Sequence, residues 1–421
     1  MINNAAIFPG QGNLDLEKFK KIIEENLEAQ RILDKAMNII GEKSEYFFSE
    51  DIQKSTYNSQ ILTFLSSYIF FQIFKRDVQD EFYMYAGHSL GEITALVCAD
   101  VITFDEGLLY VNERAKAMEE CTTDKLGGMT AVFHNDLNLL EKLSKQFEVD
   151  ISNYNSKKQI VFSGNLENLN KLEFELQEKS IPFKRLKVAG AFHSNLMKKA
   201  SEKLEKIRIN YNPDNIDRVF SSALRRFYNK EDNLSYILSK QILMPVHWNE
   251  VIAQMKENNI KNIIEFGTQP VLKNFFNSSY PYIFDIVTSC EEDYENIYLK
   301  NSSNFYLKFL KKIISIAVCS KNNSDDLNGF EEYINIYQDL LQKCNDFISN
   351  DGLVDISSCQ LFYDTLFSKL LPLKSVPESE IIGRKNELKK NFHIGGLMYD
   401  SQIFSPMLRF VCNYWNFRLI S

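Results

Sequence analysis

The most constraining stretch of the chain is the apolar run Phe82 to Ala86, which stops at Gly87-His88-Ser89-Leu90-Gly91 and continues into helix formers through Ala99. Apolar run, glycine-flanked serine and helix in that order read as strand, sharp turn, helix. The glycines permit the strained turn, and the turn holds Ser89 at a helix N-terminus, where backbone N–H groups stabilise an anion. A second apolar run, Ala5-Ala6-Ile7-Phe8, is stopped by Pro9-Gly10-Gln11-Gly12 and reads as a buried strand running into a tight loop. A third, Ile260 to Glu265, ends at Phe266-Gly267. Apolar strands alternating with helical segments predict a parallel sheet covered by helices.

Between these runs the pattern predicts helix over Leu16 to Ile40 and a largely apolar, buried helix over Gln60 to Phe74. From Gly128 to Val188 the order changes to strand (Met129–Phe133), helix (Leu137–Gln146), strand (Val149–Asn153), strand (Gln159–Ser163), helix (Leu166–Glu178), strand (Pro182–Val188). That β-α-β-β-α-β order is the ferredoxin-like signature and predicts a small inserted subdomain over 128–188. Residues 1–127 and 189–292 then form the sheet core. After Glu292 the character shifts: Lys321 to Asp326 reads as a polar linker, Phe330 to Ile348 has helical spacing, and 293–421 is expected to be a mainly helical C-terminal extension.

Ser89 needs a base, because a hydroxyl is a weak nucleophile until a neighbour takes its proton. Only five histidines are present. His88 adjoins Ser89 and points elsewhere off the turn. His193, in Gly190-Ala191-Phe192-His193-Ser194, follows the return of the subdomain to the sheet and is the expected base. No metal-ligand spacing such as H-x-x-x-H is present, so no metal is expected. The seven cysteines are scattered without a CxxC pair, as reduced thiols are. A formal net charge of -8 argues against a nucleic-acid binder. No apolar run reaches the roughly 18–20 residues of a membrane span, and the N-terminus lacks a signal-peptide pattern. A cytoplasmic protein is expected.

In this frame the residues resemble the malonyl-CoA:acyl carrier protein transacylase family, which includes the acyltransferase domains of polyketide synthases. The matching pieces occur in family order: Phe8 to Gly12, Gln60, Gly87 to Glu92, Arg114, Asn153-Tyr154-Asn155-Ser156, Phe192-His193-Ser194, Pro245-Val246-His247-Trp248 and Glu265-Phe266-Gly267. They cover about residues 1 to 290. The resemblance implies an α/β-hydrolase-like core with a ferredoxin-like insertion, a Ser89 acyl-enzyme, and His193 as base and then acid. It places the oxyanion hole on the backbone amides of Gln11 and Leu90, and assigns Arg114, Gln60, Phe192 and Asn155 to the substrate. It also implies that a backbone carbonyl orients the histidine, here that of His247. A planar guanidinium at Arg114 matches a malonyl carboxylate, and Phe192 resembles the malonyl-selective version rather than the methylmalonyl one. Ala115 and His247 stand where glycine and glutamine or arginine are more frequent.

The implied reaction is ping-pong transfer of malonyl from malonyl-CoA to the phosphopantetheine thiol of an acyl carrier protein, with no cofactor. The extension over 293–421 resembles the region after the acyltransferase in discrete enzymes that serve polyketide synthases. Two alternatives stand beside this reading: a hydrolase that clears stalled acyl groups from carrier proteins, and, for 293–421, a docking segment. Carrier proteins are usually acidic, which makes Lys184, Arg185, Lys187, Lys198 and Lys199 candidates for a docking surface.

Overall fold

The computed structural model describes residues 4–12, 14–42, 55–78, 82–124, 126–260, 262–280, 283–289, 306–307, 309–349 and 356–391. Cys290, Cys412 and the boundary expected at 292/293 lie outside them. The chain divides into two compact units, residues 1–72 with 81–291, and residues 73–80 with 292–421.

The first unit begins with β1 (Asn4–Phe8), α1 (Leu16–Glu25), α2 (Leu27–Ile40), α3 (Thr56–Val78, shared with the second unit), β2 (Met84–Gly87), α4 (Leu90–Cys98) and α5 (Phe104–Glu120). There follow β3 (Gly127–Val132), α6 (Leu137–Gln146), β4 (Asp150–Ser156), β5 (Gln159–Asn165), α7 (Leu166–Glu178) and β6 (Phe183–Arg185). The chain returns through α8 (Lys198–Leu204), β7 (Val219–Ser221), β8 (Arg226–Phe227), α9 (Leu234–Gln241), α10 (Trp248–Glu257), β9 (Asn262–Glu265), α11 (Lys273–Ser279) and β10 (Asp285–Thr288).

Six strands make the larger sheet in the order β10-β9-β1-β2-β7-β8, with every pairing parallel except the β7–β8 edge. Its strands are apolar because both faces are covered. Ala5, Ile7, Met84, Ala86 and Ile263 meet Trp248, Val251 and Ile252 of α10 on one face. On the other, Phe8, Phe71 of α3 and Phe266 pack with ring centroids 5.2–5.8 Å apart. β1 and β2, the central strands, therefore carry their C-terminal loops to one end of the sheet, where ligands bind in open α/β folds.

The smaller sheet is antiparallel, in the order β4-β5-β3-β6, with α6 and α7 closing a core of Val132, Leu140, Leu143, Phe162, Leu169 and Leu172. It is tied to the core by β4, where Val246 donates to the Ser152 carbonyl and Tyr154 donates to the Val246 carbonyl, each at 2.8 Å. The His247 ring stacks on Tyr154 with centroids 4.7 Å apart.

Two predicted elements differ in extent. The helix read over Leu16 to Ile40 is broken at Asn26, whose Oδ1 accepts the amides of Glu28 and Ala29 and so starts a second helix. The last subdomain strand is three residues rather than seven, because β6 is an edge strand paired only to Thr130–Val132.

The second unit is helical: residues 309–319, α12 (Leu327–Ser349), α13 (Ile356–Thr365), a π-helical turn at Leu366–Leu370, and α14 (Glu378–Asn391). They enclose a core including Leu310, Ile313, Leu340, Phe362, Leu366 and Leu388. Lys374 is buried there. Its ammonium lies over the Tyr333 ring at 4.5 Å and donates to the carbonyls of Ala317 and Ser320 at 2.8 Å, satisfying the open C-terminal end of 309–319.

Candidate active site

Ser89 sits between β2 and α4 with φ 53° and ψ -109°, a strained turn for a residue with a side chain. The flanking glycines make it fit. A Cβ at Gly91 would lie 2.1 Å from the Phe8 carbonyl oxygen, and one at Gly87 would lie 1.8 Å from the Gly91 carbonyl carbon. Helix α4 can therefore press directly on the end of β1, bringing the loop that carries Gln11 against the elbow. The Leu90 amide is the first of a helix and has no acceptor within it. The Gln11 side-chain oxygen is buried without a hydrogen-bond partner.

His193 Nε2 lies 2.7 Å from Ser89 Oγ. Its Nδ1 lies 2.9 Å from the Met244 carbonyl and 3.1 Å from that of Gln241. Carbonyls only accept, so Nδ1 carries the proton and Nε2 presents a lone pair to the serine hydroxyl. These carbonyls, and not that of His247, orient the base. Helix α9 ends at Gln241, whose carbonyl accepts one amide, that of Met244 at 3.1 Å, and keeps a lone pair for Nδ1, whereas the His247 carbonyl accepts the amides of both Glu250 and Val251 in the first turn of α10. His193 itself has φ 55°, and the following turn is fixed by Ser194, whose hydroxyl donates to the Ala191 carbonyl at 2.6 Å and accepts the Leu196 amide.

Burial, and then the charge of Arg114, hold the His193 pKa down to about 3. The base is neutral at physiological pH and ready to accept a proton. Arg114, on α5, is 1% exposed. Its Nη2 donates to Ser89 Oγ at 3.0 Å and its Nη1 to the Gln60 side-chain oxygen. Burial lowers its pKa to about 10, leaving it charged. Among the described residues no carboxylate forms an ion pair with Arg114, Glu92 acts on it only at longer range, and its Nε has no hydrogen-bond partner. The Gln60 amide completes its own bonding on Met118 Sδ at 3.6 Å, so Gln60 holds the guanidinium in place.

Asn155 Oδ1 lies 2.9 Å from Nε2 of His88, which explains how the neighbouring histidine is turned away from Ser89. Burial lowers the His88 pKa, so it stays neutral. Phe192 is buried beside His193. Glu92, in the first turn of α4, accepts from Ser221 Oγ, Tyr228 OH, and the amide and hydroxyl of Ser222 at 2.6–3.0 Å, tying the elbow helix to β7. Of the lysines considered for docking, Lys184, Lys187, Lys198 and Lys199 are exposed, whereas Arg185 is engaged by Glu173 at 2.7 Å. The residues that sequence reasoning missed are Gln241 and Met244, whose main-chain carbonyls hold the base; a backbone carbonyl leaves no side-chain signal.

Among the described residues, no three His, Cys, Asp or Glu side chains form a set that could hold a metal, and no helix is long and apolar enough to cross a membrane. Cys98, Cys121, Cys319, Cys344 and Cys359 are free thiols.

The family model described as "Acyl transferase domain" matches residues 81–290. A malonyl CoA-acyl carrier protein transacylase of Bacillus subtilis (strain 168) is 30% identical over 283 residues, covering 64% of this chain and 87% of the relative. The polyketide biosynthesis malonyl CoA-acyl carrier protein transacylase BaeC of Bacillus velezensis is 29% identical over 279 residues, covering 63% and 93%. Among solved structures, the malonyl CoA-acyl carrier protein transacylase from Clostridium perfringens superposes with a TM-score of 0.64 at 26% identity, covering 70% of this chain and 97% of that one. A serine elbow at the end of a parallel sheet, a histidine held by carbonyls and an antiparallel insertion between them agree with these likenesses, and the chain belongs to the malonyl CoA-acyl carrier protein transacylase family of acyltransferases.

Proposed function

We propose that the protein transfers a malonyl group from malonyl-CoA to the phosphopantetheine thiol of an acyl carrier protein, through an ester on Ser89. The observation that carries this reading is the buried, unpaired Arg114 guanidinium donating to the nucleophile itself. An isolated cation is costly to bury, so the site is completed by an anion, and a dicarboxylic acyl group brings a carboxylate to that point. An uncharged acyl chain would leave the guanidinium unmatched, which sets the transfer reading above a hydrolase of stalled acyl groups.

In the first half-reaction His193 Nε2 takes the Ser89 proton as Oγ attacks the thioester carbonyl. The amides of Leu90 and Gln11 are assigned to the developing oxyanion, and the proton passes to the departing thiolate of coenzyme A. In the second, His193 takes the proton of the carrier thiol as its sulfur attacks the ester carbonyl, the acyl C–Oγ bond breaks, and His193 returns the proton to Ser89 Oγ. A thioester already holds a good leaving group, so neither half requires a metal or redox group. The exposed Lys184, Lys187, Lys198 and Lys199 offer a positive surface to an acidic carrier protein. The likeness to a relative named for polyketide biosynthesis supports carrier domains of a polyketide synthase as the acceptor. The same reading places the enzyme in the cytoplasm with its coenzyme A thioester.

The test is intact mass after incubation with malonyl-CoA, followed by a phosphopantetheinylated carrier protein. A malonyl adduct is expected that is absent in Ser89→Ala, reduced in Arg114→Ala and transferred to the carrier. No adduct, with Ser89-dependent hydrolysis of acyl-loaded carrier, would replace this reading with the hydrolase.

A further inference from the structure

One residue touches both members of the dyad. Gln241, 1% exposed at the end of α9, donates from its side-chain Nε2 to the backbone carbonyl of Ser89 at 3.1 Å, while its own backbone carbonyl lies 3.1 Å from His193 Nδ1. The amide orientation is set by its partner, because a carbonyl can only accept and the reverse rotamer would place two oxygens together. The side-chain oxygen is then left buried without a partner. A buried amide kept in place with one end unsatisfied points to a constraint on the other end.

That constraint is the Ser89 backbone. Its φ of 53° and ψ of -109° are held only where the surroundings over-determine them. The Ser89 carbonyl also accepts the Glu92 amide at 3.0 Å, a bond internal to the turn and its helix. Gln241 supplies a second bond from outside, 152 residues away in sequence. It thereby links the strained carbonyl of the nucleophile to the segment that aims the base.

We propose that Gln241 is a positioning residue, a two-ended clamp that fixes the separation of Ser89 Oγ and His193 Nε2 during acylation. The proposal rests on the Ser89–His193 chemistry above but not on the identity of the acyl group. Loosening the clamp lowers the rate of attack and leaves binding of the thioester unchanged, because Gln241 faces the reacting pair from the side of α9. The ionisable groups closest in effect to the base are Arg114 and His88, and both disfavour its protonated form. Glu92, which acts on Arg114 and is bonded by Ser221, Ser222 and Tyr228, is the acidic group already present, and a carboxyl introduced at 241 would add a second.

Two variants separate positioning from mere support. Gln241→Met keeps the shape and removes the donor; Gln241→Glu donates to the Ser89 carbonyl only while protonated. Single-turnover acylation is measured from pH 5 to 9 with malonyl-CoA and with p-nitrophenyl acetate, which needs no carboxylate pocket. Gln241→Met is expected to acylate about tenfold more slowly with both, at unchanged KM, as a small misalignment of reacting groups predicts. Gln241→Glu is expected to approach the wild-type rate at the acid end and to lose it as pH rises, a dependence that a purely structural role would not create. Wild-type rates in Gln241→Met together with a wild-type pH profile in Gln241→Glu would overturn the clamp. If Gln241→Met fails to fold, the profile of Gln241→Glu decides alone. Acylation of the wild type by the acetate ester but not by malonyl-CoA would refute the proposed function while leaving the clamp testable.

Discussion

Replacing Arg114 by methionine keeps an apolar stem of similar reach and removes the charge, so it separates the electrostatic role of this residue from its packing. Two consequences follow from the geometry. Arg114 Nη2 and His193 Nε2 lie 3.0 and 2.7 Å from the same Ser89 oxygen, so the two nitrogens are at most about 5.7 Å apart. At an effective dielectric of about 20, two positive charges at that separation repel by about 3 kcal/mol. The guanidinium therefore opposes protonation of His193, as its low pKa records. Without it, His193 holds a proton more readily and stays below the ordinary histidine value chiefly through burial. The acid limb of the acylation profile then moves to higher pH. The second consequence concerns the substrate. Deleting one partner of a buried charge pair costs about 3–5 kcal/mol, or roughly two to four orders of magnitude in kcat/KM for malonyl-CoA. Acetyl-CoA has no carboxylate to lose, so its rate should hold or rise and the malonyl preference should collapse. The assay is pre-steady-state acylation by each thioester across pH, with thermal unfolding as the control for Gln60, whose oxygen loses its donor. Equal losses for the two thioesters, or an acid limb displaced to lower pH, would refute the assignment.

Three other substitutions test the scaffold. Gly91→Ala would drive a Cβ to 2.1 Å from the Phe8 carbonyl oxygen, a backbone atom that cannot move without displacing β1, so the expected outcome is loss of acylation with a large fall in Tm. Gly383→Ala is the contrast: nothing lies within 4 Å of its added carbon in α14, and removing a helical glycine should stabilise by about 0.5–1 kcal/mol in urea denaturation. Lys374→Met strips donors from the buried carbonyls of Ala317 and Ser320 and should destabilise by about 2–3 kcal/mol, read as a lower denaturation midpoint.

What could be read beforehand was what is written in side chains at short range. The elbow was legible because its strand, glycines and helix are contiguous, and the subdomain because each strand and helix has its own period. The resulting sheet order β4-β5-β3-β6 is the arrangement that the β-α-β-β-α-β order implies. The break at Asn26 was hidden because the apolar spacing continues across it, and only a side-chain cap divides the two helices. The position of the unit boundary inside α3 was hidden for a similar reason, since one uninterrupted helix of 23 residues serves both units.

The misplacement of the histidine-orienting carbonyl has a deeper cause. Every residue has a backbone carbonyl, so sequence carries no mark of which one faces His193. The choice is made by competition for acceptors. At His247 both lone pairs of the carbonyl are taken by the amides that start α10, whereas the Gln241 carbonyl at the end of α9 accepts one amide, that of Met244, and keeps its second lone pair. A base that needs its Nδ1 proton held is best served by the C-terminal end of a helix, where acceptors are in surplus and the macrodipole favours the imidazolium formed in the transition state. The same helix end sets Gln241 so that its side chain reaches the Ser89 carbonyl. The nucleophile is thus presented by the start of one helix and its base by the finish of another. The chemistry takes the first amides of one helix and, at and just beyond the close of the other, the carbonyls of Gln241 and Met244.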